Sequence, residues 1–226
     1  MEGLSVILAA VPHGTAALLL VVTAVIGYFF GNCNGAIMIS RFVLRDDVRT
    51  HGSGNGGLTN FQRTYGGTKL TVIVIAVDML KVVASVYIAL GLFSLVLAEP
   101  PLFVKYWAGI ACVVGHVFPC TLHFHGGKGI LCGGTLAWML GWKVGLVAWG
   151  LFAALWLLSK YVSLGSIFAG ISLTVSVFLF YGHNWLYTAL AFVISVLVVW
   201  CHRENIDRLL HGTERKFQWH SGPPKE

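Results

Sequence analysis

Gly115-His116-Val117-Phe118-Pro119-Cys120-Thr121-Leu122-His123-Phe124-His125-Gly126-Gly127-Lys128-Gly129-Ile130-Leu131-Cys132-Gly133-Gly134 is the stretch from which the rest of the chain is read. A very apolar segment ends at Gly115 and another begins at Ile130. Between them lie three histidines, one lysine and a Gly-Gly-Lys-Gly turn. Polar residues gathered between two long apolar runs mark a loop joining membrane-spanning helices. Glycines turn backbone N–H groups towards one point at little cost, and such a nest beside a lysine suits phosphate oxygens.

Working outward, apolar windows of about 20 residues, enough to cross a bilayer, recur along the whole chain. Of its 226 residues 57% are hydrophobic and 11% charged, with a mean hydropathy of +0.79. Soluble domains carry ~25% charge, so lipid is the expected solvent. The composition implies an all-α polytopic membrane protein forming one domain over residues 1–226. Alternating barrel strands are not seen. The net charge of +6 lies between spans rather than on one soluble face, so no nucleic-acid partner is expected. Five cysteines, in or beside apolar segments, read as free thiols. No cationic region precedes the first apolar stretch, which reads as an uncleaved helix.

Seven transmembrane helices are expected. The first runs from about Ala16 to Ile39, with Gly27, Gly31 and Gly35 on one face for close packing. The second covers about Leu70 to Ala98 and ends at Glu99-Pro100-Pro101; the third covers Leu102 to Val117. Residues Ile130 to Ser159 divide at Gly141-Trp142-Lys143 into two short spans. A sixth ends at Gly182-His183-Asn184 and a seventh at Cys201. Arg41, Arg45, Arg49, Arg63, Lys69, Lys128, Lys160, Arg203, Arg208, Arg215, Lys216 and Lys225 then share one side, against Lys105 and Lys143 on the other. This asymmetry puts the N-terminus outside and the C-terminus in the cytoplasm.

Three polar islands face that cytoplasmic side. Gly52 to Arg63 offers Ser53, Asn55, Thr59 and Asn60, then the planar fork of Arg63, which suits bidentate phosphate binding. The second is the central loop, with His116 at the membrane boundary and Lys128 among Gly126, Gly127 and Gly129. Its His123, His125, Cys120 and Cys132 lack a standard zinc spacing, so no metal is expected. The third is His202 to Glu214, in which a continuing helix puts His202 and Asn205 on one face with Arg208 nearby. Ser159 to Ser163 adds hydroxyls. Asp78 and Lys81 stand within the second span at i, i+3 spacing, as a supporting or a purely structural pair. Cations and glycine nests beside an apolar bundle imply a phosphate-bearing substrate and an acyl chain, hence acyl transfer.

At these residues the chain resembles the bacterial acyl-phosphate:glycerol-3-phosphate acyltransferases, the PlsY family. Gly52-Ser53-Gly54-Asn55, Thr59-Asn60 and Arg63 are similar to its first cytoplasmic motif. Gly115-His116, Phe118-Pro119 and Gly126-Gly127-Lys128-Gly129 match the second. His202, Asn205-Ile206, Arg208-Leu209 and Gly212-Thr213-Glu214 match the third. Tyr161-Val162-Ser163-Leu164 and the Asp78–Lys81 pair also fit. Order and spacing agree over nearly the whole chain. Departures are Gly56-Gly57-Leu58, Thr121-Leu122-His123-Phe124-His125 and Ile130-Leu131-Cys132.

The resemblance implies transfer of a fatty acyl group from acyl phosphate to the 1-hydroxyl of glycerol 3-phosphate, in a bacterial inner membrane. Lysophosphatidic acid and inorganic phosphate result, as the first acylation of phospholipid synthesis. It implies no cofactor, and a site facing the cytoplasm. Ser53, Arg63, His116, Lys128 and His202 become the expected catalytic residues, with His116 shaping the site or taking a proton. Asn55, Thr59, Asn60, Gly126, Gly127, Gly129, Ser163, Asn205 and Arg208 become the expected substrate-binding ones. The competing reading is a phosphate or polar-lipid transporter, which calls for charges along a mid-membrane path and related halves. A divergent inactive paralogue is the third, on the motif departures.

Overall fold

The computed structural model describes residues 3–67, 69–182 and 184–217, and these are helical with no strand among them. A short helix α1 (Leu4–Ala10) precedes α2 (His13–Asn32), α3 (Gly35–Phe42) and α4 (Leu58–Tyr65). Then follow α5 (Lys69–Ser94), α6 (Leu102–Val117), α7 (Ile130–Leu140), α8 (Trp142–Ser159), α9 (Val162–Phe180), α10 (Trp185–Cys201) and α11 (Arg203–Leu210). Breaks fall at residues that suit them. Gly129 precedes α7 at φ 76°, and Asn184 caps α10 by accepting the Tyr187 N–H.

Helices α2, α5, α8 and α9, and α6 with its extension to Leu122, are long and apolar enough to cross a bilayer. Counting α10 with α11 across their 56° bend makes six. At 11 residues α7 is about 16 Å long, roughly half a hydrocarbon core. The faces they turn outward are apolar: Leu18, Val21, Val25 and Phe29 of α2 are exposed while Ala16, Thr23, Gly27 and Gly31 are buried. Inside, Val82, Val86, Phe93, Tyr106, Leu136 and Ile194 belong to one core joining α5, α6, α7 and α10. A smaller cluster of Ala36, Ile37, Val48, Phe61 and Val74 seats α3 and α4 on α5.

The expected first span, Ala16 to Ile39, is divided: α2 stops at Asn32 and α3 starts at Gly35. Gly27 and Gly31 pack against the α6 backbone, where added Cβ atoms would lie 2.8 Å from the Ala108 oxygen and 2.2 Å from the Cys112 oxygen. Gly35 instead faces Val74 of α5. The buried pair on α5 stabilises the break. Lys81 Nζ donates to the Cys33 carbonyl at 3.0 Å and more weakly to that of Gly31 at 3.4 Å. Asp78 Oδ1 accepts the Gly35 N–H at 3.1 Å. A cation thus meets orphan carbonyls at the end of α2, and an anion meets the N-terminus of α3. Low-dielectric surroundings make such satisfaction obligatory.

Candidate active site

The first island is a loop folded around Asn60. Its Nδ2 donates to the Val48, His51 and Asn55 carbonyls, and its Oδ1 accepts the Ser53 N–H at 3.0 Å. Gly52 has φ 59°, and a Cβ there would lie 2.3 Å from Asn60 Oδ1, so only glycine fits. Asn60 was expected to bind substrate; its amide is instead spent on the loop that presents Ser53. The loop docks on the second island through Arg49, which donates to the Leu122 and His125 carbonyls, and through the Gly56 N–H to the Gly126 carbonyl.

In the second island the glycine nest needs correction. Gly126 N–H donates to the Val117 carbonyl and Gly127 N–H to the His116 carbonyl, so neither is free for an anion. A Cβ on Gly126 would lie 2.0 Å from the His116 oxygen, and one on Gly127 would lie 2.2 Å from His116 Nε2. These two glycines fold the loop back against the end of α6 and do not line the cavity described below; Gly129 does.

The third island closes the site. After α11 the chain turns, with the Thr213 and Glu214 N–H groups donating to the Arg208 carbonyl. Glu214 Oε1 accepts from Ser163 Oγ at 2.8 Å and Asn205 Nδ2 at 2.9 Å, and Oε2 accepts from Arg208 Nε at 2.7 Å. Lys128 Nζ donates to Asn205 Oδ1, and Arg63 Nη2 donates to the Arg215 carbonyl at 2.9 Å. His202 Nδ1 lies 2.7 Å from the Val198 carbonyl and must donate there, which leaves Nε2 as an acceptor.

A cavity of about 290 Å³ brings the islands together. Ser53, Asn55, Thr59, Asn60, Arg63, His116, Lys128, Gly129, Ser163, His202, Asn205 and Arg208 all line it. Asp78, Ser166 and Glu214 also line it, and the rest of the wall is apolar, with Trp149, Phe152, Leu173, Ile194 and Val198 from α8, α9 and α10. Charged and hydrogen-bonding groups at one end and hydrocarbon at the other fit a ligand with an anionic head and an acyl tail.

A sequence profile described as glycerol-3-phosphate acyltransferase matches residues 21–212. A glycerol-3-phosphate acyltransferase of Erythrobacter litoralis (strain HTCC2594) is 35% identical over 198 residues, 85% of this chain and 92% of that one. One from Thermoanaerobacter pseudethanolicus (strain ATCC 33223 / 39E) is 36% identical over 197 residues, 87% and 95% of the two chains. The chain belongs to the glycerol-3-phosphate acyltransferase family. The crystal structure of PlsY, an integral membrane glycerol 3-phosphate acyltransferase, in its glycerol 3-phosphate form, superposes with a TM-score of 0.78. It is 32% identical, with 88% of this chain and 96% of that one covered; the lysophosphatidic acid form gives 0.75. The chain is therefore an integral membrane acyltransferase of the acyl-phosphate-dependent type, as the motifs imply.

Glu214 was not among the expected site residues of this acyltransferase, although it stands in the third motif. The available signal was an acidic side chain six residues after Arg208 in an otherwise basic tail. Burial alone would raise its carboxyl pKa, but hydrogen bonds from Arg208, Asn205 and Ser163 outweigh that and hold it below the ordinary value of 4.5. Its contribution to stability is therefore complete above pH 4.5 and is lost as pH falls through the depressed value. Burial, and then the Arg208 charge, lower the Lys128 pKa. An anion placed between the two cations would offset that repulsion.

Glu214→Gln keeps the shape but turns an amide towards Arg208 or Asn205 and removes the carboxylate. The expected result is a KM for glycerol 3-phosphate raised about 10-fold, in line with the worth of one charge-assisted hydrogen bond. Steady-state kinetics at neutral pH check this, and the acid-side loss of thermal stability should flatten in the same variant.

Proposed function

We propose that Lys128, Arg63 and Ser53 hold the acyl phosphate group and stabilise negative charge on the reacting carbonyl oxygen. The Arg208 Nη groups and the second Nδ2 proton of Asn205 hold the phosphate of glycerol 3-phosphate. His202 Nε2 and the Ser163 oxygen, whose proton goes to Glu214, orient its hydroxyls as acceptors. Asn55, Thr59 and the Gly129 turn complete the polar wall. The 1-hydroxyl oxygen attacks the acyl carbonyl carbon, and the carbon–oxygen bond to phosphate breaks. Inorganic phosphate leaves, and one of its oxygens, accepting the hydrogen bond of the attacking hydroxyl, takes that proton. Transfer is direct. Among the described residues, no serine lining the cavity is hydrogen-bonded to a histidine, as an activated nucleophile would be.

One observation carries this reading: three chain-distant islands line a single cavity whose far wall is apolar. A transporter would need cations spread along a path through the bilayer; the cations that line this cavity, Arg63, Lys128 and Arg208, all come from the three islands.

The same reading has seven spans, α2 and α5 to α10, in one domain over residues 1–226. The N-terminus lies outside and the C-terminus in the cytoplasm, with the site at the cytoplasmic face of a bacterial inner membrane. The basic residues of the three islands supply the inward charge bias. No metal or prosthetic group takes part.

Purified protein given palmitoyl phosphate and glycerol 3-phosphate should release inorganic phosphate and form lysophosphatidic acid, whereas palmitoyl-CoA should support no turnover. Turnover with the thioester at a similar rate would reject the proposed donor site.

A further inference from the structure

Lys81 and Asp78 are buried to 4% and 1% exposure in α5, and the acyl-transfer chemistry does not use them directly. Besides the Cys33 carbonyl, Lys81 Nζ has two close partners: Asp78 Oδ1 at 2.8 Å and His116 Nδ1 at 2.8 Å. An ammonium carries three protons and accepts nothing. These three partners use all three protons, which leaves the Gly31 carbonyl at 3.4 Å as a weak fourth. His116 Nδ1 must therefore present its lone pair, and the ring proton sits on Nε2. A proton on Nδ1 would oppose donor to donor at 2.8 Å. The same spot could otherwise hold a metal, since the ligand atoms of Asp78, His116 and Cys132 lie within 4.8 Å of one another. The ammonium, hydrogen-bonded to two of the three, takes the place of a metal cation.

The opposite edge of the ring faces the site. Nε2 packs against Gly127, beside Lys128, and His116 lines the cavity. We propose that Lys81 is a positioning residue, held by Asp78, which fixes His116 as the Nε2–H tautomer so that it donates a hydrogen bond to an oxygen of the acyl phosphate. The expected alternative, in which His116 takes the hydroxyl proton, does not fit a ring whose only lone pair is bound to an ammonium. This inference rests on the substrate arrangement proposed above.

The test is a double-mutant cycle in turnover. Asp78→Asn with Lys81→Met removes both charges together, leaving no uncompensated ion in the membrane. Loss of one pre-set donor predicts a kcat lower by about 100-fold, with KM for glycerol 3-phosphate within about twofold. His116→Gln keeps an N–H donor near the Nε2 position without a tautomer to fix. It should retain more activity than His116→Ala, and adding the Asp78/Lys81 changes to it should cost little further. Lys81→Arg should restore part of the lost kcat. Wild-type kcat in the charge-free pair, or fully multiplicative losses in the His116→Gln background, would overturn the proposal.

The α2–α3 break also depends on this pair, so the variants must be checked for folding. A second measurement does not need them: ¹⁵N chemical shifts of histidine-labelled wild-type protein in detergent should show His116 protonated at Nε2. A proton at Nδ1 would overturn the proposal by itself. Full turnover in Lys128→Ala would instead reject the site arrangement, and leaves the tautomer result standing as a separate measurement.

Discussion

Lys128→Ala lowers acyl transfer to glycerol 3-phosphate by about 10³-fold, the upper range for removal of one pre-organised group that stabilises transition-state charge. The residue stands in the loop before α7, donates to Asn205 and lines the cavity beside His202 and Arg208. Its ammonium is the cation carried by the central loop, and in the proposed arrangement it lies where the two anionic substrates converge. A variant that elutes and melts as the wild type does separates lost chemistry from lost folding. Incorporation of labelled glycerol 3-phosphate into lysophosphatidic acid is the measurement. Turnover within a few-fold of wild type would show that the reacting phosphate lies elsewhere. Arg63→Ala should follow in the same direction, because its guanidinium lines the same cavity and is aimed by the Arg215 carbonyl.

Gly115→Ala should unfold the acyltransferase at a much lower temperature. A Cβ there would lie 2.1 Å from the Tyr28 oxygen, and Gly31 on the facing helix lies 2.7 Å, by its own added Cβ, from Gly115 Cα. Two backbones cross at these glycines, so neither neighbour is a side chain able to rotate away. Overpacking of this kind costs about 3 kcal/mol at the upper end of the usual range. It also reaches the site. Tyr28 Oη donates to the Phe118 carbonyl and accepts the Cys120 N–H, so parting α2 from α6 moves the loop that carries Lys128. Thermal unfolding in detergent, read beside Gly150→Ala, checks the effect. Gly150 has nothing within 4 Å of an added Cβ, so its alanine should be neutral or slightly stabilising. Equal melting temperatures for the two variants would sink the argument.

Much of this protein was legible without coordinates, because lipid imposes its demands locally. Apolar runs of spanning length, interrupted by islands rich in glycine and basic residues, marked the helices and their loops. The residue types in those islands indicated phosphate, and their order and spacing indicated the family. The membership of the cavity followed closely: Ser53, Lys128, His202 and Asn205 come from distant parts of the chain and line it together.

What local pattern could not reveal is where each buried polar group finds its partner, since that depends on residues far away in sequence. Asn34 caps α3 locally by accepting the Ile37 N–H, but what satisfies the other backbone groups freed at the break lies on another helix, in Asp78 and Lys81. The Gly126-Gly127 pair has the composition of an anion nest, but the end of α6 had already taken its N–H groups. Asn60 carries the donors of a substrate ligand and spends them on its own loop. Glu214 looks like a tail residue until Ser163, Asn205 and Arg208 close around it. Composition and apolar run length thus determined the solvent and the main helices, and the motif residues with their resemblance to a family indicated the chemistry. Only the packed structure decided which donors remain free for substrate, because a hydrogen bond already made within the protein is unavailable to anything else.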